Sequence, residues 1–218
     1  MRVGRRSILA ALAAAVALNT IAPVAPVRAQ VGKSQGVVDA NIASEQDLAK
    51  MPHMTAAIAK ALVGVRPFKS ITELNTFLIG QGLTQPQAMD FYQKAFVHIN
   101  LNTATRDEIL LVPGAGTRMV REFAEYRPWK SWAQFDKEIG KYVGADATAK
   151  LAQYCFIPIN LNTATDEDIL SIPGAGPRMV REFKEYRPWK SWAQFDKEIG
   201  KYVGAKETER LKRYVVIE

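Results

Sequence analysis

The chain contains few of the residue types that build disulfides, metal sites and catalytic centres. It has one cysteine and two histidines in 218 residues. Cys155 cannot form an intramolecular disulfide, and its apolar surroundings favour a buried, unreactive thiol. His53 and His98 are isolated from other candidate ligands, so we expect no metal ion, no cofactor and no catalytic base.

Signatures of nucleotide-dependent enzymes are also missing. The Gly-Ala-Gly runs at 114–116 and 174–176 lack the preceding strand and the third glycine of a dinucleotide-binding fold. They also lack the Lys-Ser/Thr pair of a phosphate-binding loop. Because the chain shows no nucleophile–base pair either, we expect a protein without catalytic residues, one that is not an enzyme.

The first 29 residues have the pattern of a secretory signal peptide. Three arginines precede an apolar run at 8–18, and the segment ends Val27-Arg28-Ala29, which predicts cleavage after Ala29. Arg5-Arg6 resembles a twin-arginine export signal, and Sec export and an uncleaved N-terminal anchor are alternatives. We therefore expect a protein that is periplasmic or otherwise exported, with no membrane span after cleavage, and a flexible segment at 30–38.

Removing this segment changes the charge of the chain. It carries four of the 29 basic residues and none of the 22 acidic ones, which leaves 25 against 22, a net charge of +3 rather than +7. The remaining protein is nearly neutral. Its charge is thus only weak support for nucleic-acid binding.

The rest of the chain is a threefold repeat. Residues 118–145 and 178–205 differ only at Ala124 and Lys184, and NIASEQDL at 41–48 aligns with NTATRDEI at 102–109. The spacing predicts three modules of about sixty residues, at 39–98, 99–158 and 159–218.

Each module is predicted to be all-α, with four short helices. In the second module, Thr105 and Glu108 form a capping-box pattern for a first helix that ends before the hairpin. A second helix is predicted to end at Arg127, a third to run from Ser131 to Gly140, and a fourth to span 147–156. Residues 157–160 are predicted to be an extended linker, and the paired tryptophans, Trp129 with Trp132 and Trp189 with Trp192, to be core.

The hairpins VPGAGTR at 112–118 and IPGAGPR at 172–178 are the candidate binding elements. Two glycines before a helix can expose backbone amides to a phosphate oxygen. The same glycines could equally serve as tight turns between packed helices. Both interpretations are open at this point.

The combination of the entry motif NLNTAT at 160–165, the Pro-Gly-Ala-Gly hairpin and YRPWKS at 186–191 resembles the helix-hairpin-helix domain of the ComEA type, exported receptors for double-stranded DNA. The resemblance covers nearly all of 39–218 in three copies. It implies sequence-independent binding of the duplex backbone, a role in DNA uptake, and two hairpin units per module. The implied phosphate-binding residues are Gly114, Ala115, Gly116, Arg118, Arg121, Gly174, Ala175, Gly176, Arg178 and Arg181.

Three departures from the family pattern keep a second function open. PHMT at 52–55 replaces the glycine hairpin in the first module, so we expect that module not to hold phosphate. The second hairpin unit of the second and third modules has lost its later glycine, to Asp146 and Lys206. The chain without its first 29 residues is also nearly neutral. The alternative is a periplasmic protein–protein interaction scaffold, because the small lumenal extrinsic subunit of photosystem II is similar to the same family.

Overall fold

The computed structural model describes residues 37–218, and the predicted signal peptide lies outside them. The described chain is mainly helical, as predicted, and each repeat has the same plan of helices between two short strands. The first repeat consists of β1 Val38–Asp39, α1 Glu45–Leu48, α2 Ala56–Val65, α3 Ile71–Gly80, α4 Gln85–Tyr92 and β2 Ala95–Phe96. The second consists of β3 Ile99–Asn100, α5 Arg106–Leu110, α6 Thr117–Glu125, α7 Trp132–Val143, α8 Ala145–Ala152 and β4 Cys155–Phe156. The third consists of β5 Ile159–Asn160, α9 Asp166–Leu170, α10 Pro177–Glu185, α11 Trp192–Lys212 and β6 Val215–Val216. α11 is kinked at Gly204, which has a φ of 78°, so it corresponds to α7 and α8 together.

Parallel strand pairs join the two ends of every repeat. β1 pairs with β2, β3 with β4 and β5 with β6. The extended backbone predicted at 157–160 includes β5, and what the prediction did not include is the pairing of β5 with β6. The flexible segment predicted at 30–38 does not extend to Val37, which is buried, or Val38, which begins β1. Two-residue strands are too short for an alternating pattern, and their partners lie far away in the chain, so local sequence did not reveal them.

Helix starts follow the predicted caps, but helix ends differ. The fourth helix, predicted at 147–156, is α8, which begins at Ala145 and ends at Ala152, because Cys155 and Phe156 form β4. The hydroxyl of Thr105 accepts from the amide of Glu108, whose carboxylate accepts from Thr105 N–H in return. α7 continues past Gly140 to Val143 and ends at Gly144, which has a φ of 79°. A Cβ on Gly140 would make an ordinary van der Waals contact, 3.7 Å from the hydroxyl of Thr148, so packing of α7 against α8 does not require glycine there.

Two of the four tryptophans lie in the core. Trp129 and Trp189 are 1% and 2% exposed, and their indole N–H groups donate to the backbone carbonyls of Phe123 and Phe183 in the preceding helices. Trp132 is half-buried, whereas Trp192 is 41% exposed, so the prediction of core was wrong for Trp192. The predicted burial of Cys155 is confirmed, and this burial raises the pKa of its thiol.

The first and third repeats also contact each other directly. The carboxylate of Asp39 accepts from the hydroxyl of Tyr214 at 2.9 Å and lies 3.5 Å from Nη1 of Arg210. Arg213 donates to the backbone carbonyl of His98 at 2.8 Å. All three repeats thus pack into one assembly, with charged side chains buried where the first meets the third.

Candidate nucleic-acid interface

The two glycine hairpins have the same backbone shape. Gly114 and Gly174 have φ values of 84° and 78°, a conformation that side chains disfavour. Gly116 and Gly176 are extended instead, and they are the N-caps of α6 and α10. The first glycine of each hairpin is therefore required by the turn, whereas the second could be another residue as far as backbone conformation is concerned.

The hairpin amides are only partly available to a ligand. The Ala115 N–H donates to Val112 O at 2.9 Å, and the Ala175 N–H donates to Ile172 O at 3.0 Å. The expectation that Ala115 and Ala175 offer their amides to phosphate is therefore wrong, because the turn itself uses them. Within residues 37–218, the amides of Gly114, Gly116, Gly174 and Gly176 donate to no protein acceptor.

Helix capping distinguishes the first repeat from the other two. At the equivalent point, the hydroxyl of Thr55 accepts from the amide of Ile58 and caps α2. His53 takes the turn position with a φ of 61°, and its imidazole lies 3.0 Å from Asp90. By contrast, no side chain caps α6 or α10. In α6 the Met119 amide donates to Gly116 O, which leaves the amides of Thr117 and Arg118 for another partner.

The arginines that follow the hairpin at 113–116, in the second repeat, are exposed, and both contact one carboxylate. Arg118 and Arg121 have side chains that are 54% and 69% exposed, and both lie against the buried carboxylate of Glu122, at 3.8 and 3.1 Å. The Arg118 guanidinium also stacks 4.5 Å from the ring centre of Tyr142. Glu122 removes part of the positive charge and holds the arginines in place.

Lys141 is a cation near this hairpin that sequence reasoning missed. Its ammonium lies 4.6 Å from the ring centre of Tyr126 and 5.2 Å from that of Tyr142, the ring on which Arg118 stacks. The hydrogen bond between the hydroxyls of Tyr142 and Tyr126, which lie 2.9 Å apart, is the main cause that raises the pKa of Tyr142 to about 12. Lys201, Tyr186 and Tyr202 repeat the arrangement. These residues are brought together only by packing of α6 against α7. No local sequence motif predicts this arrangement.

The glycine hairpin of the third repeat, at 173–176, is more enclosed than that of the second repeat, at 113–116. Arg210 donates to Pro173 O at 2.6 Å, and a Cβ on Gly174 would meet Arg210 at 3.4 Å and Ile42 of the first repeat at 3.6 Å. α10 also begins with Pro177, which has no amide hydrogen.

The cations beside the third hairpin resemble those of the second. Arg178 stacks on Tyr202 at 4.8 Å and lies 3.9 Å from Glu182, and Arg181 is exposed. The two hairpins therefore have equivalent cations beside them but differ in how closely a ligand can approach.

Further observations limit the chemistry of this surface. Within 37–218 no group of three or more His, Cys, Asp or Glu side chains is placed to hold a metal ion. No helix in the same range is long and apolar enough to cross a membrane. The chain matches no family model, no curated protein and no solved structure.

Proposed function

We propose that this protein binds the phosphate backbone of double-stranded DNA, without sequence preference and without catalysis. The observation that carries the proposal is the difference in capping between equivalent helices. α6 and α10 begin at uncapped glycines with an exposed arginine two residues later, whereas α2 begins at Thr55, which caps it. Free amides, the helix dipole and a nearby cation together favour an anion.

The hairpin at 113–116 is the stronger of the two proposed contacts. A Cβ on Gly114 would meet nothing within 4 Å, so a phosphate oxygen can approach the turn. Thr117 adds an amide that Pro177 lacks. The hairpin at 173–176 is the weaker contact because Ile42 and Arg210 lie against it.

Affinity should be modest and sensitive to salt. Glu122 and Glu182 offset part of the charge of the neighbouring arginines. Two contacts of this kind hold a duplex well only if both engage at once. Each phosphate contact releases a counterion. The logarithm of the affinity should therefore fall linearly with the logarithm of the salt concentration, with a slope of about one per contact.

Fluorescence anisotropy with labelled duplex DNA across a salt series tests the proposal. Arg118→Ala with Arg178→Ala should weaken binding by about tenfold and lower the salt slope by about two. Lys60 in α2 is the repeat counterpart of Arg121. Lys60→Ala is therefore a matched control for Arg121→Ala, and only the latter should weaken binding.

Two results would overturn the proposal. One is the absence of binding at micromolar protein in low salt. The other is binding that the paired arginine substitution leaves unchanged, with circular dichroism showing a folded variant. Secretion is proposed with it, from the segment at 1–29, and cell fractionation tests it.

A periplasmic protein–protein scaffold is the second candidate. A groove of about 840 Å³ between the second and third repeats favours it, lined among others by Trp132, Lys130 and Asp168. Such a groove can accept part of a protein partner. A pull-down from periplasmic extract separates the candidates, because binding that persists at high salt favours the scaffold and binding lost at high salt favours DNA.

A further inference from the structure

Trp132 joins the second repeat to the third. Its side chain packs against the apolar cores of both repeats. It lines the groove between them, across from Ile159, Asp168, Ile172 and Tyr214 of the third repeat. These four residues are called the receiving face below. The contact shows how one repeat docks on the next.

Trp192 occupies the same position in the third repeat and has no repeat packed on it within the described chain. Its ring lies 5.9 Å from that of Phe195 at 81°, and the Trp132 ring lies 5.6 Å from that of Phe135, also at 81°. The two indoles are thus held in the same pose. Ile71, the counterpart in the first repeat, is fully buried, whereas Trp192 is 41% exposed.

The first repeat carries an uncovered copy of the receiving face. The counterparts of Ile159, Asp168 and Ile172 by repeat spacing are Val38, Asp47 and Met51. Lys94 is the counterpart of Tyr214 by strand pairing, because Val38 N–H donates to Lys94 O as Ile159 N–H donates to Tyr214 O. These four line a depression of about 510 Å³ together with Lys50 and Pro52. Val38 is 38% exposed, and the depression has no lining residue from another repeat.

Packing of the first repeat against the third within one chain does not block this depression. Adjacent residues of a strand point to opposite faces. In β1, Asp39 is buried against Tyr214 and Arg210, while its neighbour Val38 stays exposed. The intramolecular contact therefore uses one side of the strand and leaves the other side open.

We propose that a second copy of this chain docks its first repeat on Trp192, as the third repeat docks on Trp132. The interface would be head-to-tail: one copy contributes Trp192, and the next contributes Val38, Asp47 and Met51. Because two different surfaces meet, each added copy leaves both surfaces open at the ends, so assembly continues with concentration. A small interface of this type is weak and becomes populated at high protein concentration.

Sedimentation equilibrium of residues 30–218, which keep every described residue, tests this proposal. Measurement at high salt without DNA separates it from association through nucleic acid. The average mass should rise with concentration. Trp192→Lys should weaken association by about tenfold or more, because it removes the indole and would place an unpaired ammonium in the contact. Val38→Lys should do the same from the other surface.

Mixing the two variants gives the sharpest result. Val38→Lys retains an intact Trp192, and Trp192→Lys retains an intact depression, so the mixture should form a one-to-one dimer that grows no further. Ile79→Lys is the matched control, since Ile79 is 40% exposed but lines neither surface, and it should associate like the unaltered protein.

Other outcomes overturn the proposal. One is an unaltered protein that stays monomeric at every concentration. Another is Val38→Lys associating as well as the unaltered protein, which would indicate a symmetric contact through Trp192 alone. Circular dichroism of each variant shows whether it is folded.

Discussion

At the scale of residues, the most repeated motif side chains hold the fold together. The Asn102 amide donates to Trp129 O at 3.0 Å and accepts from Trp129 N–H at 2.6 Å, and Asn41 and Asn162 make the same pair of bonds. Arg127 donates to Leu101 O and Ala104 O. The resemblance to a binding family thus rests partly on residues whose work is structural.

Asn102→Ala should destabilise the protein. The substitution leaves the backbone N–H and C=O of Trp129 without partners next to a buried indole, and an unpaired polar group there costs about 1–3 kcal/mol. The free energy of unfolding in urea measures this loss. Thr103→Ala, at the exposed neighbour, should change it by less than about 0.5 kcal/mol. Equal stability of the two variants would contradict the role given to Asn102.

At the scale of elements, the repeats differ in how their second helices begin. α1, α5 and α9 are capped by Ser44, Thr105 and Thr165, as the sequence predicts. α6 and α10 begin at uncapped glycines. Short-range motifs were sufficient for the capped helices because the bonding groups lie three residues apart. They could not show which hairpin amides stay free, because that depends on the folded turn.

Gly116→Ser should raise the stability of the fold and lower the affinity for duplex DNA. Gly116 has a φ of −99° and open space around its Cβ position, so serine fits and can cap α6. The new hydroxyl should stabilise the fold by about 0.5 kcal/mol. It would also occupy an amide proposed to bind phosphate, so duplex affinity should fall by about threefold or more. Urea unfolding and anisotropy measure the two effects.

The reciprocal change in the first repeat serves as the control. Thr55→Gly uncaps α2 and should lower stability by a few tenths of a kcal/mol. Duplex affinity should stay the same, because the hairpin at 52–55 has no arginine two residues after its cap. A Gly116→Ser variant that is stabilised yet binds duplex normally would remove the amides from the proposed mechanism.

At the scale of the whole molecule, buried charge holds the first and third repeats together. Arg210 is 2% exposed and lies among Asp39, Glu207 and Pro173 O, with Tyr214 beside it. Breaking a buried pair by removing one partner is costly, since it leaves an uncompensated charge. The cluster therefore also determines how closely the first repeat approaches the third hairpin.

His98 should make stability depend on pH. Burial is the main cause that lowers its pKa below the usual 6.5; Arg213 and Arg210 lower it further, while Asp39 and the Gln153 backbone oppose them. Since the unfolded chain binds the proton more readily, stability is full above pH 6.5 and falls as pH drops below it. The loss approaches about 1.4 kcal/mol per pH unit.

Urea unfolding between about pH 5 and pH 7.5 measures this dependence, in a range above most carboxylate titration. His98→Leu keeps an apolar side chain at the site and cannot titrate, so its stability should vary less over the range. The same dependence in both proteins would exclude His98 as its source.

The sequence by itself determined the threefold repeat, the mainly helical content, the capped helix starts and the burial of Trp129. Each of these depends on periodicity or on residues a few positions apart. Only the tertiary structure decided that strand pairs join the ends of each repeat, that Glu122 lies under the arginines, that Arg210 reaches Pro173 and that Trp192 stays exposed. Those outcomes depend on contacts between distant segments, which near-identical repeats cannot reveal, since the same residue has different neighbours in each copy.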